Sequence, residues 1–208
     1  MMKGKFITFE GGEGVGKTTQ LAMIRSYLET QGVDAVFLRE PGGNAISEKI
    51  RNIILDVNNV GMTGMCEAML YSASRAQLVE AVIKPALEKG KLVVCDRFID
   101  STYAYQGVAR GLGADKVDML NRLACGDIMP DLTVFLDLPP KLAFARKGGA
   151  DATDRLEQEG ESFHERVYEG YLQACKSYPD RIARVDCSGE AIATHKKIVD
   201  LLRQRGIV

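Results

Sequence analysis

The 208-residue sequence has little of what metal centres and disulfide frameworks need. It has only two histidines, His164 and His195, which lie far apart in the chain. A zinc site or a histidine-based catalytic triad is therefore not expected. The five cysteines show no C-x-x-C spacing and are odd in number, so we expect reduced and mostly buried thiols.

The chain also lacks an excess of charge of either sign, since 27 lysines and arginines stand against 28 aspartates and glutamates. Proteins dedicated to nucleic acids or membrane surfaces usually carry a basic excess, so we expect neither partner. No apolar run approaches the length of a membrane span, and no signal-peptide core follows Met1. These absences predict a cytoplasmic protein that binds anionic ligands through local clusters of residues.

The most informative stretch is a glycine-rich segment directly after the apolar run 6–9. Gly11, Gly16, Lys17 and Thr18 fit the spacing G-x-x-x-x-G-K-[ST], which is typical of a loop that binds a nucleoside triphosphate. Glycines let backbone N–H groups approach phosphate oxygens, the lysine neutralises the transferable phosphates, and the threonine hydroxyl is a ligand of Mg²⁺. The predicted triphosphate-binding residues are Gly11, Gly12, Glu13, Gly14, Val15, Gly16, Lys17, Thr18 and Thr19.

Five short apolar runs alternate with segments of helical periodicity along the chain. The predicted strands cover residues 6–9, 35–38, 92–95, 132–138 and 182–186. The predicted helices cover about residues 17–31, 46–55, 66–89, 101–108, 115–124, 141–146, 163–178 and 191–205, and Pro85 is expected to kink or split the longest. This alternation predicts an α/β fold of the P-loop NTPase type, a three-layer sandwich whose five-stranded parallel sheet has helices on both faces.

Charged residues follow several predicted strands, at the edge where parallel sheets bind ligands. Asp96 and Arg97 come directly after the third strand, where the aspartate could hold Mg²⁺ through water and the arginine could clamp an acceptor phosphate. Tyr71 lies one helical turn before Arg75, a pair suited to stack on a flat base and bind its carbonyl groups. The other charged residues at this edge are Glu10, Arg39, Glu40, Asp137 and Asp186.

Six segments, taken together and in order, resemble the thymidylate kinase family. They are Phe9 to Thr19, Arg39-Glu40-Pro41-Gly42-Gly43, Tyr71-x3-Arg75-x-Gln77-Leu78, Asp96-Arg97-Phe98 with Ser101-Thr102-x-Ala104-Tyr105-Gln106-Gly107, Pro130-Asp131-Leu132, and Asp154-Arg155-Leu156-Glu157. The resemblance implies a nucleoside monophosphate kinase-like domain over residues 1–208. It also implies transfer of the γ-phosphoryl group of ATP to dTMP, giving dTDP and ADP in dTTP synthesis, by a Mg²⁺-dependent homodimer.

The resemblance further implies roles for individual residues. The dTMP-binding residues would be Glu13, Arg39, Pro41, Tyr71, Arg75, Arg97, Thr102, Tyr105 and Gln106. Arg97 would hold the dTMP phosphate, Tyr71 would stack on thymine, and Arg75 would bond a thymine carbonyl. Glu13 would contact the sugar hydroxyl and Tyr105 would disfavour a 2′-hydroxyl, while Thr102 and Gln106 would lie near the base edge.

Members of this family carry a catalytic basic residue either inside the glycine-rich loop or in a lid, and the loop interior here has none. The resemblance therefore implies a mobile lid at about residues 146–157 that supplies it. Arg146 and Arg155 are favoured over Lys147, which lacks the bidentate fork. One of the two arginines could instead stack on adenine, opposite residues 186–189. The predicted catalytic residues are Lys17, Arg97, Arg146 and Arg155, and the predicted Mg²⁺ ligands are Thr18 and Asp96.

Several other nucleotide-binding classes share the glycine-rich loop. A GTPase needs an Asn/Thr-Lys-x-Asp segment after a late strand, and none occurs. A P-loop switch or binding protein would have no use for Arg75 and Arg97 in one cleft. The nearest alternative is another small nucleotide or deoxynucleoside kinase, which differs only in pocket residues such as Tyr71 and Tyr105.

Overall fold

The computed structural model describes residues 4–147 and 155–208 of the chain. Within these ranges, strands form one sheet in the order β2-β3-β1-β4-β5, and every neighbouring pair is parallel. The strands are β1 (Phe6–Glu10), β2 (Ala35–Arg39), β3 (Leu92–Asp96), β4 (Leu132–Asp137) and β5 (Ile182–Asp186). The predicted five-stranded parallel sheet is thus confirmed.

The helices follow the predicted order with small shifts at their ends. They are α1 (Lys17–Thr30), α2 (Ala45–Leu55), α3 (Gly64–Leu78), α4 (Lys84–Glu88), α5 (Ile99–Thr102), α6 (Ala114–Cys125), α7 (Pro140–Lys147), α8 (Glu161–Ser177) and α9 (Ala191–Gln204). None of the helices in the described ranges is long and apolar enough to cross a membrane. All five cysteines are free thiols, as predicted.

The centre of the fold is β1, whose five residues are all buried. Ile7 and Phe9 pack with Ile24 of α1 and Ile198 of α9 on one face of the sheet. Phe6 points to the other face, into the cluster that contains Ile83. Burial of each such side chain contributes roughly 1.5–3 kcal/mol. Because both faces are covered, the strand is continuously apolar, and the packing fixes the position of the glycine-rich loop that follows it.

Three strands run one residue beyond their apolar runs, and each added residue is charged: Glu10, Arg39 and Asp96. Pairing continues through these residues, since Asp96 lies opposite both Phe9 and Arg39. In these three strands the apolar run ends before the hydrogen-bonded ladder does, which is why their predicted ends are one residue too early. The sheet therefore fixes three charged residues side by side at its carboxyl edge.

Two helical segments are wound as π-helix, which the sequence pattern does not predict. The long helix predicted over 66–89 is split into α3, a segment π1 (Val79–Ile83) and α4, whose first turn contains Pro85. A proline has no N–H to donate and crowds the preceding turn, so a wider turn before it relieves both problems. The helix predicted over 101–108 is α5 followed by π2 (Tyr103–Ala109).

Candidate active site

The glycine-rich loop joins β1 to α1 at the carboxyl edge of the sheet. Gly14 and Gly16 have φ angles of 74° and 91°, which residues with side chains rarely adopt. A Cβ at Gly14 would also lie 2.7 Å from the carbonyl oxygen of Ala143 in α7. The loop encloses a cavity of about 370 Å³ lined by Gly12, Glu13, Gly14, Val15, Gly16, Lys17, Thr18, Arg146 and Glu157. Of the predicted triphosphate-binding residues, only Gly11 and Thr19 do not line it.

A second cavity of about 190 Å³ opens beside the loop, over the ends of β1, β2 and β3. It is lined by Glu13, Lys17, Arg39, Glu40, Pro41, Arg51, Tyr71, Arg75, Asp96, Arg97, Phe98, Ser101, Tyr105, Gln106, Leu156 and Glu157. We call it the acceptor cleft. Lys17 and Glu13 line both cavities, and Lys17 Nζ lies 2.8 Å from Asp96 Oδ1. Two ligands bound in the two cavities would therefore meet at Lys17.

Arg97 projects into the acceptor cleft from an unusual backbone conformation. Among the described residues, Arg97 is the one non-glycine residue with a positive φ, which is 67°. This backbone conformation costs of order 1–3 kcal/mol. Its Nη2 donates to Glu13 Oε1 at 2.5 Å and its Nη1 donates to the Gly11 carbonyl oxygen at 3.1 Å. The guanidinium also lies 5.3 Å from the ring centre of Tyr105. These contacts aim a cation at the junction of the two cavities.

A buried polar layer supports Arg97 from behind. Arg97 Nη1 donates to the hydroxyl oxygens of Ser101 and Tyr171, and both hydroxyls contact Glu10 Oε2, at 2.6 and 3.0 Å. Glu10 Oε1 accepts from the Phe98 N–H at 2.7 Å. Burial raises the pKa of Glu10 to about 7, although the hydrogen bond from Ser101 and the charge of Arg97 act in the opposite sense. No sequence motif marks Tyr171, which lies 161 residues from Glu10.

Arg75 is buried beneath the cleft, with a side chain only 1% exposed. Its Nε donates to Glu40 Oε2 at 2.8 Å, and its Nη1 donates to Asn121 at 2.7 Å. Its Nη2 donates to the Phe98 carbonyl oxygen and to the Thr102 hydroxyl. Four of the five guanidinium N–H groups are thus used. Burial raises the pKa of Glu40 even though Arg75 opposes that shift.

Of the two residues predicted to lie near the base edge, Gln106 lines the acceptor cleft and Thr102 does not. Thr102 is predicted near the base, but it does not line the acceptor cleft, because its hydroxyl is bonded to buried Arg75. Gln106 does line the cleft, and its Nε2 donates to Glu67 Oε1 at 2.7 Å. The buried hydroxyl of Tyr105 has no hydrogen-bond partner among the described residues and borders the same cleft. Tyr71 lines the cleft as a half-buried ring.

The rim of the acceptor cleft contains Arg51, a cation that was not predicted from the sequence. Arg39 and Arg51 both donate to the Pro41 carbonyl oxygen, at 3.0 and 2.9 Å. Glu40, predicted only as a charged residue at this edge, also lines the cleft, and the other unpredicted lining residues are Phe98, Ser101, Leu156 and Glu157. All of these except Arg51 lie inside the segments that carry the family resemblance, so their position in those segments was a usable signal.

Arg155, predicted as a catalytic residue, is instead buried away from both cavities. Its Nη2 donates to Glu67 at 2.5 Å and its Nε donates to the Ile54 carbonyl oxygen at 3.1 Å. It lines neither cavity. The physical reason is the buried carboxylate of Glu67, which needs cationic partners. In this arrangement Arg155 holds the segment after residue 154 against α2 and α3.

Arg146 does line the loop cavity, at the end of α7. Its guanidinium donates to the carbonyl oxygens of Cys187, Ser188 and Gly189. This contact joins α7 to residues 186–189, the segment predicted to form a wall of the adenine site. The predicted lid residues 148–154 and the Lys147 side chain lie outside the described part of the chain.

The two remaining carboxylates at the sheet edge, Asp137 and Asp186, form contacts outside both cavities. Asp137 accepts from the Tyr168 hydroxyl at 2.8 Å and from Arg184, and Asp186 pairs with Lys197 at 3.0 Å. Neither lines the acceptor cleft or the loop cavity. Among the described residues, no group of three or more histidine, cysteine or acidic side chains could hold a metal ion.

Comparisons with known proteins agree with the resemblance seen in the sequence. A family model described as thymidylate kinase matches residues 9–198. Proteins named thymidylate kinase from Thermoanaerobacter sp. (strain X514) and Caldanaerobacter subterraneus subsp. tengcongensis are each 48% identical, over 98% of this chain and 99% and 97% of their own lengths. A crystal structure titled thymidylate kinase from Ehrlichia chaffeensis superposes with a TM-score of 0.77 at 33% identity, covering 96% of this chain and 99% of that one.

Proposed function

The chain belongs to the thymidylate kinase family, whose reaction is transfer of a phosphoryl group from ATP to dTMP, and we propose how its residues divide that reaction. One observation carries the assignment: the loop cavity and the acceptor cleft meet at Lys17. A triphosphate in the first and a monophosphate in the second would face each other there. Phosphoryl transfer needs mainly positioning and neutralisation of charge, and this junction offers both.

On the donor side, we assign the triphosphate to residues 11–19, with Lys17 neutralising the transferable group. We assign the cationic lid role to Arg146, because it lines the loop cavity. Its contact with the carbonyl groups of 187–189 supports a position near the proposed adenine site. Arg155 has an anchoring role, supported by its bond to Glu67. The lid is taken as residues 146–157 within the domain 1–208.

On the acceptor side, we assign the dTMP phosphate to Arg97, which the backbone and Glu13 aim at the junction. Tyr71 would stack on thymine, and Tyr105 would pack by the deoxyribose with its unpartnered hydroxyl. Arg75 would offer its one unused N–H to a base carbonyl. Arg39, Pro41 and Gln106 border the pocket, and Thr102 acts through Arg75.

The residues present fit Mg²⁺, because they are oxygen donors of the kind this hard cation prefers. Thr18 is exposed at the start of α1 and lines the loop cavity, and Asp96 borders the cleft next to Lys17. When bound, Mg²⁺ would neutralise the charge of the phosphates. Thr18 and Asp96 would hold it, the aspartate through water.

We propose a homodimer formed through α2, α3 and α6, in the cytoplasm. These helices pack side by side and expose large apolar side chains. Those side chains are Ile46 (52% exposed), Ile53 (49%), Met69 (54%), Met119 (64%) and Leu123 (77%). An exposed apolar group of this kind is typical of an interface.

The test of this assignment measures the rate of ADP release from ATP and Mg²⁺ with dTMP, UMP or AMP as the acceptor. We expect turnover of dTMP far above that of UMP and AMP. The Lys17→Ala variant, purified in parallel, should lose this activity, which excludes a contaminant. Equal turnover of the three acceptors would contradict the acceptor-site assignment and favour a kinase of another nucleotide.

A further inference from the structure

Glu10 lies at the end of β1 as a fully buried carboxylate behind Arg97. Its Oε1 accepts from the backbone N–H of Phe98 at 2.7 Å. Its Oε2 contacts the hydroxyls of Ser101 and Tyr171, at 2.6 and 3.0 Å. Arg97 Nη1 donates to the same two hydroxyls, at 3.3 and 3.2 Å. A single hydroxyl therefore separates the carboxylate from the cation on each of two paths.

This cluster accommodates both charge states of Glu10. An ionised carboxylate can only accept, so both hydroxyls then donate to Oε2 while they accept from Arg97. A protonated carboxyl donates one hydrogen bond itself, and the hydroxyls of Ser101 and Tyr171, 2.9 Å apart, can then bond to each other. Burial raises the pKa of Glu10 to about 7, although the hydrogen bond from Ser101 and the charge of Arg97 act in the opposite sense. Near neutral pH, Glu10 therefore exists in both states.

The other charged and titratable groups that face Glu10 are held in one state or tied to partners. Its cationic neighbours stay charged, because arginine is not deprotonated in proteins, and they are Arg75, Arg97 and Arg181. Burial raises the pKa of three further neighbours, which stay protonated: Cys95, Tyr105 and Tyr171. Both oxygens of Asp100 accept hydrogen bonds from Arg181, at 2.6 and 2.7 Å. Glu10 is thus the group of this cluster that can respond near neutral pH.

A dTMP phosphate bound to Arg97 would carry about two negative charges near pH 7.5 and would change this balance. It would occupy the cation that otherwise stabilises the ionised carboxylate, and it would repel that carboxylate over a short distance. We propose that Glu10 is a positioning residue for Arg97 that takes up a proton from solvent as the phosphate binds. The site then holds the dianion with the full charge of Arg97 and no opposing buried anion. This inference rests on the phosphate site proposed above.

The test counts protons by titration calorimetry of dTMP into the wild type at pH 7.5, in HEPES and in Tris, two buffers with different ionisation enthalpies. With a pKa of about 7, Glu10 is mostly ionised at this pH, so we expect an uptake of about 0.5–0.75 proton per dTMP. The dissociation constant should rise about three- to tenfold between pH 7 and 8.5. Thymidine, which lacks the phosphate, should take up no proton. Equal uptake with thymidine, or none with dTMP, overturns the proposal.

Glu10→Gln keeps the shape of the side chain but cannot take up the proton, so the uptake and the rise of the dissociation constant with pH should both disappear. A purely structural role for Glu10 predicts weaker binding with the proton uptake of the wild type, and that outcome contradicts the proposal. Tyr178→Phe is the matched control, because it removes a hydroxyl–carboxylate bond of the same kind, the 2.9 Å bond to Asp118. This variant should keep the wild-type uptake, and its loss there would contradict the proposal.

A second variant keeps the test decisive if Glu10→Gln does not fold. Tyr171→Phe removes one hydrogen bond that stabilises ionised Glu10, so the dissociation constant of dTMP should begin to rise at a higher pH. An unchanged onset is evidence against the proposal. An Arg97→Met variant that binds dTMP as tightly as the wild type would refute the phosphate site itself, a separate outcome.

Discussion

Replacing Arg75 by methionine should destabilise the protein strongly, because it leaves a buried carboxylate without its cation. Arg75 and Glu40 have side chains 1% and 2% exposed, and their closest N–O distance is 2.7 Å. Breaking a buried ion pair by removing one partner costs about 3–5 kcal/mol. For a chain of this size, each kcal/mol lowers the melting temperature by about 2–4 °C, so we expect a fall of roughly 6–20 °C.

The assay is scanning calorimetry on the wild type, Arg75→Met, Glu40→Gln and the double variant. The double variant should be less destabilised than the sum of the single ones, by about 1–3 kcal/mol, because neither charge is then left alone. A melting temperature within about 2 °C of wild type for Arg75→Met, or strict additivity, would contradict a stabilising ion pair between Arg75 and Glu40.

Three further predictions address Arg97, Glu10 and the dimer. Arg97→Met should weaken dTMP binding about 10- to 100-fold in titration calorimetry while ATP binding changes little, and equal weakening of both would contradict the acceptor role. Glu10 has a folded pKa of about 7 against an ordinary value of 4.5, so the folded state binds more protons and stability is lost as pH rises through 7. Urea unfolding should show Glu10→Gln losing less stability between pH 5 and 8 than wild type, by about 2–3 kcal/mol; parallel curves would be inconsistent with this. Leu123→Asp should halve the mass seen by light scattering, and a wild type already monomeric would disprove the interface.

The architecture was predictable because its causes are local. Continuous apolar runs such as 6–9 predict strands covered on both faces, and the glycine spacing predicts the loop that follows. The strand ends were less predictable, since Glu10 and Asp96 continue the hydrogen-bonded ladder although they are charged. The π-helical segments were not predictable, because residues spaced for an α-turn and a π-turn look alike over one or two turns.

Individual side chains of the site were predictable only where their role is to face a ligand. Arg97 and Tyr105 line the cleft as predicted. Arg155 does not, because its partner Glu67 lies 88 residues away in sequence and no motif joins them. Thr102 does not line the cleft either, because its hydroxyl accepts a hydrogen bond from buried Arg75. Buried ion pairs and hydrogen bonds between distant elements determine these positions, and sequence spacing does not reveal such contacts.

The most direct test of the proposed division of the two sites is a crystal structure with dTMP and a non-hydrolysable ATP analogue bound together. We expect the triphosphate in the loop of residues 11–19, and the dTMP phosphate on Arg97 with Lys17 between the two ligands. The base should lie beside Tyr71 in the acceptor cleft. A dTMP phosphate bound away from Arg97, or a base outside the acceptor cleft, would contradict the proposed acceptor site.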